Sequence, residues 1–167
     1  MTGEVTLNLP IFGALTDEKT AGTLPQLYEA NQHRIYTLAF WMTDNELEAE
    51  QLMKTCFQRA FSSAEPNAET IDRALVSELR KTQPLGGLTL QCAATTRKHS
   101  VRRSAKRVDL ERAVVQLPAT ERMIYLLHDA ERYSETRIAY LLGVSEDDVR
   151  GGLHQARLRM RELLARA

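Results

Sequence analysis

From Leu24 onward the apolar positions of this chain fall at helical spacing. Tyr28, Ile35, Ala39 and Met42 share one face, widened by Leu27 and Leu38, and Asp44-Asn45 punctuates. Asn45 with Glu48 predicts a capping box. A second helix follows, with Ala49, Leu52, Met53, Cys56, Phe57, Ala60 and Phe61 inward. Ser62 to Asn67, with Pro66, reads as a loop, and residues 68–82 as a third, polar helix carrying Ile71, Leu75 and Leu79. Pro84-Leu85-Gly86-Gly87 breaks it. Leu88 to Arg103 is compatible with another helix, with Leu88, Cys92 and Thr95 on one side. Strand signals are nearly absent, so the expected class is all-α.

The stretch from Val114 to Ala167 is the most structured in pattern. It predicts a short helical hairpin, then two helices joined by a tight turn. Ser134 can cap the first of these two helices, whose inner face is Ile138, Leu141 and Leu142. Gly143 closes it, because a residue tolerant of positive φ ends a helix cheaply. Val144 can plug the turn, and Ser145 with Asp148 predicts a capping box for the second helix. There Val149, Leu153, Ala156, Met160 and Leu163 make one stripe, while Arg150, His154, Arg157 and Arg161 repeat at the same spacing on a neighbouring stripe. A bland helical hairpin can show part of this pattern. The punctuation and the basic stripe together point instead to a helix-turn-helix that fits the DNA major groove.

Charge adds polarity to that picture. The 167 residues have zero formal net charge, but residues 1–90 carry 7 Lys/Arg against 12 Asp/Glu, a net of −5, and residues 91–167 carry 15 against 10, a net of +5. A basic C-terminal half suits nucleic acid, and an acidic N-terminal half suits a protein partner. Between Arg97 and Arg107, six of eleven residues are cationic (Arg97, Lys98, Arg102, Arg103, Lys106, Arg107), with no acid. Such a run is either a solvated linker or a further phosphate contact.

Other chemistry is sparse. Cys56 and Cys92 form no CxxC and lie far from His at ligand spacing, which reads as two thiols in a reducing, cytoplasmic protein rather than a disulfide or zinc site. No metal or cofactor is expected. No clustered nucleophile or acid pair appears, which argues against an enzyme and a small-molecule substrate. No run of 18 apolar residues and no signal-peptide order appears, so neither membrane insertion nor export is expected. Residues 1–23 read as a flexible tail.

These residues together resemble the extracytoplasmic-function (ECF) sigma factors of bacterial RNA polymerase. Leu117-Pro118, Glu121-Arg122, Leu126-Leu127-His128-Asp129, Ile138-Ala139, Leu142-Gly143-Val144-Ser145, Val149 and Ala156-Arg157 fall where that family's −35-binding domain has like residues. Ala49 to Phe57 is similar, more loosely, to its polymerase-binding helix. The resemblance implies two small helical domains, residues 24–103 and 110–167, joined by a short basic linker at 104–109. It implies core RNA polymerase and promoter DNA as partners, and allows an anti-sigma factor as a third. It places polymerase contact on Glu48, Gln51, Lys54, Thr55 and Gln58. DNA contact falls on Arg137, Ser145, Asp147, Arg150, His154, Arg157 and Arg161, with Arg97, Lys98, Arg102 and Arg103 near the −10 element.

The departures carry information too. Gln51, Lys54 and Thr55 stand where the family typically has Asp, Gln and Glu, which reverses charge on the polymerase-facing ridge. Gly152 and Gln155 stand where Arg is common. Leu88 to Thr95 lacks the aromatic and Asn of the usual −10 helix. The short linker predicts a compact arrangement of the halves. Two alternatives follow: a helix-turn-helix regulator that lost initiation and uses its first domain for protein contacts, and an interaction module that touches no DNA.

Overall fold

The computed structural model describes residues 23–83 and 106–166, and among them every regular element is helical. Three helices make the first half: α1 (Leu24–Thr43), α2 (Glu46–Phe61) and α3 (Ala68–Thr82). The second half is α4 (Arg107–Val115), α5 (Ala119–Tyr125) continued by a π-helical turn (Leu126–Ala130), α6 (Glu135–Leu142) and α7 (Glu146–Arg166). α4 starts at Arg107, so residues 107–109 of the expected linker are already helical. The expected tail, the expected helix from Leu88 to Arg103 and the cations Arg97, Lys98, Arg102 and Arg103 lie outside the described residues.

Local chemistry sets the boundaries. α1 ends at Asp44, which adopts φ 54° and sends its N–H to the Phe40 carbonyl. The Asn45 side chain then accepts from the backbone N–H groups of Leu47 and Glu48, satisfying two of the orphan donors that open α2. The Glu48 side chain does not complete the expected reciprocal box. Asn67 and Thr70 do form one at the start of α3: the Thr70 N–H donates to Asn67 Oδ1 at 2.9 Å, and the Asn67 N–H to Thr70 Oγ1 at 2.9 Å.

The core of the first half matches the apolar stripes. Ile35, Leu38, Ala39 and Met42 of α1 bury against Leu52, Cys56, Phe57 and Ala60 of α2. Tyr28 lies against Phe57 with ring centroids 4.7 Å apart. The Cys56 thiol donates to the Ile71 carbonyl, and burial, with the nearby Asp72 carboxylate, pushes it up to about 12, which makes it a poor nucleophile.

α3 departs from the sequence reading. It is a buried helix: Ile71, Ala74, Leu75, Val76 and Leu79 are all inside, together with the carboxylates Asp72 and Glu78. One side packs on α2 and α1, and another meets α6 of the second half. Glu78 is held by Arg59 at 2.9 Å and Lys81 at 2.7 Å. Asp72 is held by residues of both halves. The expected compactness is therefore realised as direct contact between them.

Candidate nucleic-acid interface

The helix-turn-helix is built as its punctuation predicts. Ser134 caps α6 by accepting the Arg137 N–H at 3.2 Å. Gly143 ends α6 at φ 65°, ψ 38°, the left-handed region that glycine enters without a Cβ penalty. The Ser145 hydroxyl accepts the Asp148 N–H at 3.1 Å, while Asp148 Oδ2 accepts the Ser145 N–H at 3.2 Å. Asp148 is therefore a cap. Ile138, Ala139, Leu141 and Leu142 of α6 and Val149, Leu153, Ala156 and Met160 of α7 are buried, and Leu163 is half-buried at the end of the same stripe.

That packing leaves Arg150, His154, Arg157 and Arg161 on an exposed stripe of α7. Two of the arginines are engaged by this chain's own acids. Arg150 reaches Asp147 at 2.7 Å and Glu135 at 3.1 Å, and these carboxylates, Glu135 first, hold its guanidinium above its usual range. Arg157 reaches Asp129 at 2.7 Å, and Asp129 also meets His128 Nδ1 at 2.7 Å. The first turn of α7 carries Glu146, Asp147 and Asp148, which suit the helix dipole but repel phosphate. Gly152 of the same helix is buried. Ser145, which precedes α7, and Asp147 in its first turn are exposed.

Arg137 is placed differently from the rest. Its guanidinium turns toward the first half and meets Asp72 Oδ2 at 2.9 Å, stacking over the Tyr133 ring 4.0 Å from the centroid. The Tyr133 hydroxyl donates to the same carboxylate oxygen at 2.7 Å. Arg34 of α1 completes the cluster, reaching Asp72 Oδ1 at 2.8 Å and Glu131 at 3.4 Å, and donating to the Tyr133 hydroxyl at 2.8 Å. Burial alone would pull the Arg34 guanidinium down, yet Asp72, Tyr133 and Glu131 raise it above its usual range. Burial likewise raises the carboxyl of Glu131 and the phenol of Tyr133.

Three more contacts bridge the halves. Arg122 of α5 donates to the carbonyl of Met42 at 2.9 Å and of Trp41 at 3.3 Å, at the end of α1. Arg80 of α3 donates to the Leu142 carbonyl, in the last turn of α6. Cations at helix C-termini complement both the unpaired carbonyls and the macrodipole. Arg73 of α3 lies over the Tyr140 ring, 5.1 Å from its centroid. The sequence reading named none of Arg34, Asp72, Arg73 or Arg80 as site residues.

Among the described residues, the ridge expected to meet polymerase makes no such contact. Glu48, Gln51, Lys54, Thr55 and Gln58 are all exposed on α2, whose opposite face packs on α1 and α3. Among the described residues no His, Cys, Asp and Glu cluster could hold a metal ion, and no helix is long and apolar enough to cross a membrane.

Comparison with known proteins agrees with this architecture. Residues 107–160, from the start of α4 into α7, match the family described as Sigma-70, region 4. No curated protein sequence matches the chain. Among solved structures, a similar one is the sigma factor RpoE of Bartonella quintana, crystallised with the anti-sigma factor NepR. It shares 19% identity and a TM-score of 0.63, covering 84% of this chain and 95% of that one. The likeness extends the shared fold across both halves.

Proposed function

We propose that this chain, which carries a sigma-70 region 4 domain over residues 107–160, acts as an ECF-type sigma factor. It performs no chemistry and needs no cofactor. α7 enters the major groove of a promoter −35 element, with Arg150, His154, Arg157 and Arg161 facing DNA and the tip at Ser145 and Asp147 nearest the bases. The exposed ridge of α2, from Glu48 to Gln58, meets core RNA polymerase. Residues 24–103 form the polymerase-binding domain and 110–167 the DNA-binding domain. An anti-sigma factor, the kind of partner present in the RpoE complex, is a further candidate partner. Action in the cytoplasm follows from that role.

The observation that carries the reading is the paired-helix geometry from Ser134 to Arg161, with its left-handed Gly143 and capped Ser145, joined to the region 4 match. The test is co-purification of the full chain with core RNA polymerase, followed by a shift of promoter DNA. Binding of both supports the sigma-factor reading. Binding of DNA with no polymerase replaces it by the regulator that lost initiation. Two observations favour that rival: Arg137, Arg150 and Arg157 are all engaged by carboxylates of the chain itself, and the α2 ridge carries one acid and one cation where the family presents more acid.

A further inference from the structure

We propose that Asp72, Tyr133 and Arg137 form a latch that holds the two halves closed and withholds Arg137 from DNA. The first helix of a helix-turn-helix crosses the DNA backbone, so a cation on α6 is positioned for phosphate. Arg137 is the cation of α6, and its guanidinium is taken up by a carboxylate from the other half of the chain. Asp72 sits on α3 with its side chain 3% exposed, so it cannot follow Arg137 to a DNA surface. The phosphate and the Asp72 carboxylate therefore compete for one guanidinium.

The latch is more than one ion pair. Asp72 accepts from Arg34, Tyr133 and Arg137 together. Arg34 also donates to Tyr133 and Glu131. Arg137 and Tyr133 come from the second half and Arg34 from the first, so the contact holds only while both halves are docked. Its removal leaves Arg80 and Arg122 bonding to backbone carbonyls across the same junction, so the latch is the part of the junction that a polyanion can compete for. The closed state leaves α7 and the α2 ridge exposed, and it fixes their separation.

The inference rests on the reading that α6 and α7 meet DNA, so its test uses one readout that does not involve DNA. Full-length wild type, Asp72→Asn and Tyr133→Phe are compared by small-angle X-ray scattering and by fluorescence anisotropy with duplex DNA across a salt series. Tyr133→Phe removes only a hydroxyl, so it reports on the latch even where Asp72→Asn fails to fold. The latch predicts that wild type is the most compact, that each folded variant has a larger radius of gyration, and that each binds DNA more tightly. The salt slope should steepen by about one, the increment for one added phosphate contact. Unchanged dimensions in both variants overturn the latch. Larger dimensions with unchanged DNA affinity show that the latch does not govern DNA access and overturn the coupling. Absence of DNA binding in all three proteins, with larger dimensions in the variants, counts against the DNA reading itself and leaves the latch only a structural clasp.

Discussion

The guanidinium of Arg122, on α5, donates to the carbonyl of Met42 at the end of α1, 2.9 Å away. The same group donates to the Leu117 carbonyl at 3.0 Å and to that of Val115, so one side chain ties the α4–α5 corner to the far half of the molecule. A hydrogen bond to a charged donor contributes roughly 1.5–3 kcal/mol. Arg122→Ala should therefore lower stability by about 2–4 kcal/mol, more than an ordinary surface change. Arg122→Lys should recover only part of this, because an ammonium cannot span carbonyls that a planar fork reaches together. Urea denaturation of the three proteins checks the order.

Gly143 gives a second prediction. At φ 65° a β-branched side chain is strained, although a Cβ there would meet nothing within 4 Å. The cost is thus conformational rather than a clash, about 1–2 kcal/mol for Gly143→Val. For a chain of this size that corresponds to a fall in Tm of roughly 2–8 °C. Gly143→Asn should lose less, since Asn tolerates the left-handed region. Equal melting of Gly143→Val and wild type would mean that the turn is not built around a left-handed residue.

The face of α7 should bind DNA weakly and with a negative salt slope. Arg150→Ala together with Arg157→Ala should abolish most of that binding, measured by anisotropy at low salt. Conversely, Asp129→Asn removes one carboxylate that holds Arg157 at 2.7 Å and should raise affinity, because less acid then competes with phosphate for that guanidinium. A base contact from Arg150 would show as a loss of ~1–3 kcal/mol that depends on sequence, and a phosphate contact as a uniform loss.

Much of this geometry was legible in the sequence because its causes are local. Ser134, Gly143, Ser145 and Asp148 each act on backbone groups within a few residues, so their spacing predicts the turn. The buried stripes of α1, α2 and α7 follow from periodicity. The box expected from Asn45 and Glu48 formed only on the Asn45 side, since a Glu three residues on need not return to the cap. The junction between the halves was not legible. Asp72 is an acid on a helix read as polar, and its partners Arg34 and Arg137 lie 38 and 65 residues away in the chain. A signal was present: Ile71, Ala74, Leu75, Val76 and Leu79 form an apolar band too wide for a helix with one buried face. Arg137 was expected on DNA for its place in the motif, and nothing near it in sequence announces a buried carboxylate.

The α2 ridge supplies a fourth prediction. Its exposed residues Glu48, Gln51, Lys54, Thr55 and Gln58 offer one acid and one cation, so attraction to a basic partner surface is weak. Gln51→Asp with Lys54→Gln should increase the amount of core polymerase retained by the tagged protein. Both positions are exposed, so stability should change by no more than about 0.5 kcal/mol. Retention that does not rise, while the wild type holds another protein, favours the regulator reading.

Direction of polymerase to promoters, the role proposed for this chain, is measured by transcription in vitro: purified core RNA polymerase and the full-length protein on fragmented genomic DNA, with the 5′ ends of the transcripts sequenced. The expected transcripts start at a defined set of sites, share an upstream element, and disappear when Arg150 and Arg157 are both replaced by Ala. Transcripts no different from those made by core polymerase alone, with the protein folded and DNA-competent, would contradict it.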